Sequence, residues 1–259
     1  MQALMRPYGA LHYLLDGPLG APVVLMANSL GTDLRLWDAV LPLLPQGLRY
    51  LRYDKQGHGL SALGRADRIE DHAADAAALI AAVGGPVVMV GLSIGGLIAQ
   101  RLAADRPDLV RALVLSNTAA RLGTADSWQA RIDAVTAGGP EAIADAVMER
   151  WFAAPFRATP ELALWRAMLA RTPAAGYIAA CRALATADQT QATAALRLPV
   201  LVVAGSGDGA SPPELVRATA DLIPGAAFHL IDGAGHLPCV ETPTAFAAAI
   251  GPFLESHAR

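Results

Sequence analysis

A hexapeptide, Gly91-Leu92-Ser93-Ile94-Gly95-Gly96, constrains this chain more than any other feature. It follows directly on the apolar run Pro86-Val87-Val88-Met89-Val90 and leads at once into Leu97-Ile98-Ala99-Gln100-Arg101-Leu102-Ala103, which reads as a helix. A strand that turns into a helix over so few residues needs small side chains two before and two after the serine, here Gly91 and Gly95. Such a turn exposes the serine above a sheet. It also directs the backbone N–H of Ile94, at a helix N-terminus, to where an oxyanion would form. G-x-S-x-G alone is common in glycine-rich loops; the strand before it and the helix after it make it specific.

The rest of the chain supplies a matching frame. Short apolar, β-branched runs alternate with longer Ala- and Leu-rich stretches, the pattern of a mostly parallel central sheet flanked by helices. Strands are predicted over 11–15, 23–27, 48–53, 87–90, 112–115, 200–203 and 227–231, and helices over 37–44, 69–83, 95–106, 213–222 and 242–255. The runs at 23–27, 87–90 and 200–203 are apolar throughout, as strands covered on both faces should be. Between residues 118 and 196 the alternation stops. That segment, rich in Ala and Arg and holding Trp128, Trp151 and Trp165, reads as a helical insertion into an α/β core of residues 1–117 and 197–259.

Composition narrows the setting. With 54% hydrophobic and 17% charged residues, a large core is available and disorder is not expected. A net charge of −3 and scattered Lys and Arg give no electrostatic case for nucleic acid or anionic membranes as partners. No apolar run approaches the roughly 18 residues of a membrane helix, and residues 1–10 lack the apolar stretch of a signal peptide. Cys181 and Cys239 form no C-x-x-C pair, and no histidine or acidic cluster has metal-ligand spacing, so no metal and no cofactor is expected. A soluble, cytoplasmic protein acting on a small molecule is the expectation; association into a homo-oligomer stays open.

A serine hydroxyl needs a base, and the base an orienting acid. On this kind of scaffold they follow in the order Ser, Asp or Glu, His, on loops after late strands. Among the six histidines, His236 in Asp232-Gly233-Ala234-Gly235-His236 stands just past the strand ending at Ile231, where strand ends converge on a site. His229 falls inside that strand and is expected to be packed. His58 lies in an early turn, His72 at a helix start, and His12 and His257 near the termini. For the acid, Asp208 follows the strand at 200–203, with Asp232 as the alternative. A second oxyanion donor is expected in Asn28-Ser29-Leu30-Gly31-Thr32, from the N–H of Leu30 or, second, Ser29.

Gly205-Ser206-Gly207-Asp208-Gly209-Ala210 also matches a dinucleotide fingerprint. Pro212 and Pro213, however, remove N–H donors from the helix start that would hold a pyrophosphate, and too few residues follow Asp232 to complete that fold. The motif is set aside.

With these residues in view, the whole chain resembles the α/β-hydrolases, and several segments resemble 3-oxoadipate enol-lactonases of bacterial aromatic catabolism. The segments are Asn28 to Trp37, Tyr53-Asp54-Lys55-Gln56-Gly57-His58-Gly59-Leu60-Ser61, the turn at Ser93, and Leu115-Ser116-Asn117-Thr118-Ala119-Ala120-Arg121. The chain departs from the pattern at Gln56, where an arginine is expected, and in its glycine-rich loop at Asp208. The resemblance implies a helical cap over residues 118–196 and a small cyclic ester as substrate. A carboxylesterase or perhydrolase acting on other small esters is the alternative. Because the implied lactone carries a carboxylate, a cationic partner is expected among Arg121, Arg131 and Arg150, with Trp128 and Trp151 as walls of the site.

Overall fold

The computed structural model describes residues 1–258, so only the last residue of the expected 197–259 segment lies outside it. Eight strands form one sheet among these residues: β1 (Gln2–Arg6), β2 (Gly9–Asp16), β3 (Val23–Ala27), β4 (Arg49–Tyr53), β5 (Val87–Leu92), β6 (Val110–Ser116), β7 (Val200–Gly205) and β8 (Ala227–Ile231). Their order is β1-β2-β4-β3-β5-β6-β7-β8. β2 pairs antiparallel with β1 and β4, and every other neighbour is parallel. This is the expected mostly parallel sheet. The central strands β3, β5 and β7 are buried at every position, because helices cover both faces and leave no side on which a polar residue could meet water.

Helices α1 (Ile69–Val83) and α2 (Ile94–Asp105) precede β6. Six more, α3 (Ala125–Gly138), α4 (Ala144–Trp151), α5 (Ala154–Arg157), α6 (Leu162–Ala170), α7 (Ala174–Thr186) and α8 (Thr190–Ala194), fill the stretch between β6 and β7 without a strand. α9 (Pro213–Leu222), α10 (Pro238–Glu241) and α11 (Pro243–His257) complete the chain. α1 follows from alanine, the best helix former, and buries Ile69, Ala73, Ala76 and Ile80 as one stripe. Its first free N–H, on Arg68, donates to Asp71 Oδ2 at 3.1 Å, and Gly84 ends it at φ 82°.

Three expectations are corrected. No continuous helix spans 37–44; short 3-10 turns at Leu34–Trp37 and Leu41–Leu43 replace it. Pro42, lacking an N–H, cannot extend an α-helix that began earlier. β1 is not among the predicted strands: it is a mostly exposed edge strand whose half-buried positions are one apolar residue, Leu4, and one charged residue, Arg6, so its sequence carries no apolar alternation. His229 is exposed rather than packed, because β8 is the opposite edge of the sheet and only its end, Ile231, is buried.

The β1–β2 hairpin also accounts for Gln56. Arg6 Nε donates to Asp75 Oδ1 at 2.9 Å, while Gln56 Nε2 and the Tyr8 hydroxyl each donate to Asp75 Oδ2 at 2.6 Å. The cation missing at position 56 reaches the buried carboxylate of Asp75 from the hairpin, so a neutral amide suffices.

Candidate active site

Ser93 sits between β5 and α2 at φ 59°, ψ −121°. A residue other than glycine held there carries about 1–3 kcal/mol of strain, and the surroundings hold it. Ser93 N–H donates to Ser116 O at 3.0 Å, and Thr118 Oγ1 donates to Ser93 O at 2.7 Å. A Cβ on Gly91 would run into the carbonyl of Gly95, and one on Gly95 into the carbonyl of Ala27. Backbone packing therefore dictates the spacing of the motif. Ile94 is the first residue of α2, so its N–H has no partner within the helix.

The ends of β6, β7 and β8 converge beside it. His236 Nδ1 lies 2.9 Å from Asp208 Oδ2, and both residues are buried. Asp208 is held by the chain around it. Its Oδ1 accepts from the N–H groups of Ala210 and Ser211 at 2.7 and 2.9 Å, and its Oδ2 from Asn117 Nδ2 at 2.9 Å. Ser211 Oγ stands 2.8 Å from the same Oδ2 and 2.7 Å from Asn117 O, sharing one proton between two acceptors. Burial alone would raise the Asp208 pKa. The facing imidazole and these donors outweigh it, and the carboxyl sits below the usual range. Asp232, the alternative acid, is exposed and accepts from Ser206 Oγ at 3.0 Å.

Two residues of this network were not anticipated. Asn117 directly follows β6 at φ 49°, a conformation asparagine tolerates better than most residues. From there its amide reaches Asp208 and also donates to Gly235 O at 3.1 Å. An asparagine directly after the strand beside the Ser93 turn was the available signal. Glu241 accepts from Gly235 N–H at 2.9 Å and Ala153 N–H at 2.8 Å, so one carboxylate ties the His236 loop to the chain after α4. Burial pushes it up to about 7, against the pull of the amides. The His236 N–H meets Trp151 O at 2.7 Å, a second tie between the same segments.

The loop after β3 forms the other rim. Asn28 Nδ2 donates to Tyr53 O at 2.9 Å and its Oδ1 accepts from Trp37 Nε1 at 2.9 Å. Gly31 N–H donates to His58 Nε2 at 3.1 Å, which leaves Nδ1 to carry the ring proton toward Gln56 O at 3.1 Å. His58 is thus a neutral brace; burial and the nearby Lys55 hold its pKa well below the usual histidine value. Among the described residues the Leu30 N–H has no hydrogen-bond acceptor in the chain.

Ser93, His236 and Leu30 line one cavity of about 130 Å³, closed from above by the insertion. Trp128, Arg131, Arg150, Trp151 and Tyr177 complete its wall. Trp128 is fixed by its Nε1 donating to Leu122 O at 2.6 Å, and the Arg131 guanidinium lies 5.6 Å from the Trp128 ring centre. Arg131 Nη1 also donates to the Tyr177 hydroxyl at 3.3 Å, and Arg150 Nε to Gly209 O at 3.2 Å. Neither arginine has a carboxylate within ion-pair distance among the described residues. Burial and the neighbouring Arg131 both lower the pKa of Arg150. Arg121 is corrected: it is exposed, 3.9 Å from Asp188, and does not reach the cavity.

Residues 22–243 of the chain match the alpha/beta hydrolase fold family, and the chain belongs to that family. It is 32% identical to 3-oxoadipate enol-lactonase 1 of Acinetobacter baylyi over 245 residues, covering 93% of this chain and 92% of that protein. The crystal structure of an enol-lactonase from Burkholderia xenovorans LB400 superposes with a TM-score of 0.91 at 35% identity, covering 95% and 96% of the two chains. A thermophilic esterase from Thermogutta terrifontis, solved with malate bound, superposes with a TM-score of 0.88 at 30% identity and 99% coverage of both chains. Among the described residues no helix is long and apolar enough to cross a membrane.

Proposed function

We propose that this hydrolase opens a small carboxylated enol-lactone, converting 3-oxoadipate enol-lactone to 3-oxoadipate, through an acyl-enzyme on Ser93. The observation that carries the reading is the pair of guanidiniums, Arg131 and Arg150, lining the serine's cavity without a carboxylate of their own. Two cations left unneutralised in a partly buried wall favour an anionic ligand. The similarity to enol-lactonases supports the same substrate.

In this mechanism Ser93 Oγ attacks the lactone carbonyl carbon while His236 Nε2 takes its proton. Asp208 holds the imidazole by Nδ1 and stabilises the imidazolium. The N–H groups of Leu30 and Ile94 receive the oxyanion, each donor worth about 3–4 kcal/mol. Collapse breaks the ring C–O bond and expels an enolate, a better leaving group than an alkoxide. The imidazolium protonates it, and the enol tautomerises to the ketone while its other end stays esterified to Ser93. Water, deprotonated by His236, then attacks the ester and releases 3-oxoadipate. Residues 118–196 act as a cap that excludes bulk water and presents the two arginines.

Arg131→Ala is expected to raise KM for the enol-lactone by about 10–100-fold, the worth of a hydrogen bond to a charged group, and to leave KM for p-nitrophenyl acetate unchanged. Arg150→Ala should raise it too, with some loss of kcat on both substrates because Arg150 also holds Gly209 beside Asp208. Equal KM effects on charged and neutral substrates would remove the arginines from substrate binding. The similarity to the Thermogutta esterase favours a second reading, hydrolysis of other small esters. Turnover of the wild-type protein on the two substrates separates them: a kcat/KM for the lactone below that for p-nitrophenyl acetate would overturn the first reading.

A further inference from the structure

One buried charge near the site has no part in the mechanism above. Lys55, on the loop after β4, is 1% exposed and has no ion-pair partner among the described residues. The neighbouring carboxylates are occupied elsewhere: Asp54 bonds His12 and the N–H groups of Leu34 and Leu60, and Asp33 bonds Arg35. The Lys55 ammonium instead donates to Ser29 O at 2.7 Å. That oxygen also accepts from Thr32 Oγ1 at 2.9 Å, so it would remain satisfied without the lysine. A buried cation is therefore held against a carbonyl that does not need it.

Ser29 C=O and Leu30 N–H belong to one peptide unit. Hydrogen bonding at the oxygen of an amide draws electron density from its nitrogen and strengthens the N–H as a donor, and a charged donor does so more than a neutral one. We infer that Lys55 is a positioning residue of the oxyanion site, its ammonium polarising the Ser29–Leu30 peptide so that the Leu30 N–H binds a developing oxyanion more strongly. The inference rests on the reading that Leu30 N–H receives the oxyanion.

The charge on Lys55 is adjustable. Burial brings its pKa down to about 7, while Asp54 and Asp33 oppose that shift. The other titratable groups facing it are His58 and His72, both held neutral by burial, His72 down at about 4. The sign follows: the ammonium, and with it the polarisation, is present below about pH 7 and lost as pH rises through it. A neutral amine can keep the hydrogen bond, so the loss is of field rather than of contact.

Lys55→Met removes the charge at similar length. Loss of a whole oxyanion donor costs about 100–1,000-fold in kcat, so loss of its polarisation should cost about 10-fold. With p-nitrophenyl acetate the ratio of wild-type to Lys55→Met kcat should be about 10 at pH 6 and fall within twofold at pH 9, with KM changed less than about threefold. A ratio constant across that range marks a purely structural lysine and overturns the inference, as does a ratio near one at pH 6. If Lys55→Met does not fold, the Leu30 amide cross-peak of the His236→Ala protein decides, with the neighbouring imidazole gone. It should titrate with a midpoint near 7, and a flat response overturns the inference. That readout needs no turnover. Failure of Ser93→Ala to abolish hydrolysis would refute the proposed function while leaving the amide titration to be judged alone.

Discussion

Ser93→Ala is expected to lower kcat on the preferred substrate by more than about 1,000-fold, the usual consequence of removing an activated nucleophile. It should also abolish labelling by a fluorophosphonate. The geometry argues that the loss is chemical rather than structural. Ser93 Oγ takes part in none of the hydrogen bonds that hold the turn, which run through the Ser93 N–H and C=O. Alanine shares serine's Cβ, so the strain at φ 59° is carried equally by both. The thermal midpoint should therefore stay within a few degrees of wild type. A variant that unfolds at the wild-type temperature and retains more than a tenth of wild-type kcat would remove Ser93 from the chemistry.

Asp208→Asn is expected to lower kcat by about 1,000–10,000-fold, as wrongly orienting the base does in serine hydrolases generally. The reason is a count of donors. In the native site both carboxylate oxygens accept, from Ala210, Ser211, Asn117 and His236. An amide can present only one oxygen, so its NH2 must face either two backbone N–H groups or the Asn117 amide and His236. Turned toward His236, it would force Nδ1 to accept and place the ring proton on Nε2, where it blocks attack by Ser93. Stability falls as well, and with pH. The Asp208 pKa is depressed on folding, so its contribution is complete above the unfolded value and is lost as pH falls through the folded one. Chemical denaturation between pH 3 and 7 should show a shallower acid loss in the variant than in wild type.

Local rules explain what could be read early. The boundaries of α1 and α9 follow from alanine content and from Pro213, which is tolerated at a helix start. The serine turn is legible because its sterics are confined to six residues. β1 was hidden, since its inward face is only half-buried and holds the charged Arg6 beside Leu4, so no apolar alternation is written into its sequence. The helix expected over 37–44 failed for a different reason: Trp37, Val40 and Leu44 are buried, but Pro42 breaks the hydrogen bonding a continuous helix would need, and Leu43 turns out to solvent. Among the arginines, composition and spacing offered no means to choose. Arg131 meets the Tyr177 hydroxyl because α3 packs on α7, whereas Arg121, before α3 begins, meets solvent and Asp188.

The same division runs through the site. The chain alone determined that a serine would stand on a strained strand-to-helix turn, since a Cβ at Gly91 or Gly95 would strike backbone, and that His236 and Asp208 would follow late strands. Tertiary structure decided what surrounds them. It brought Asn117 to Asp208, Glu241 to the His236 loop, and the unpaired Arg131 and Arg150 to the cavity. It also buried Lys55 behind the loop after β3. The physical reason is range. Backbone sterics act between near neighbours in sequence, but burial and electrostatic fields are summed over every residue close in space, and only the packed chain says which those are.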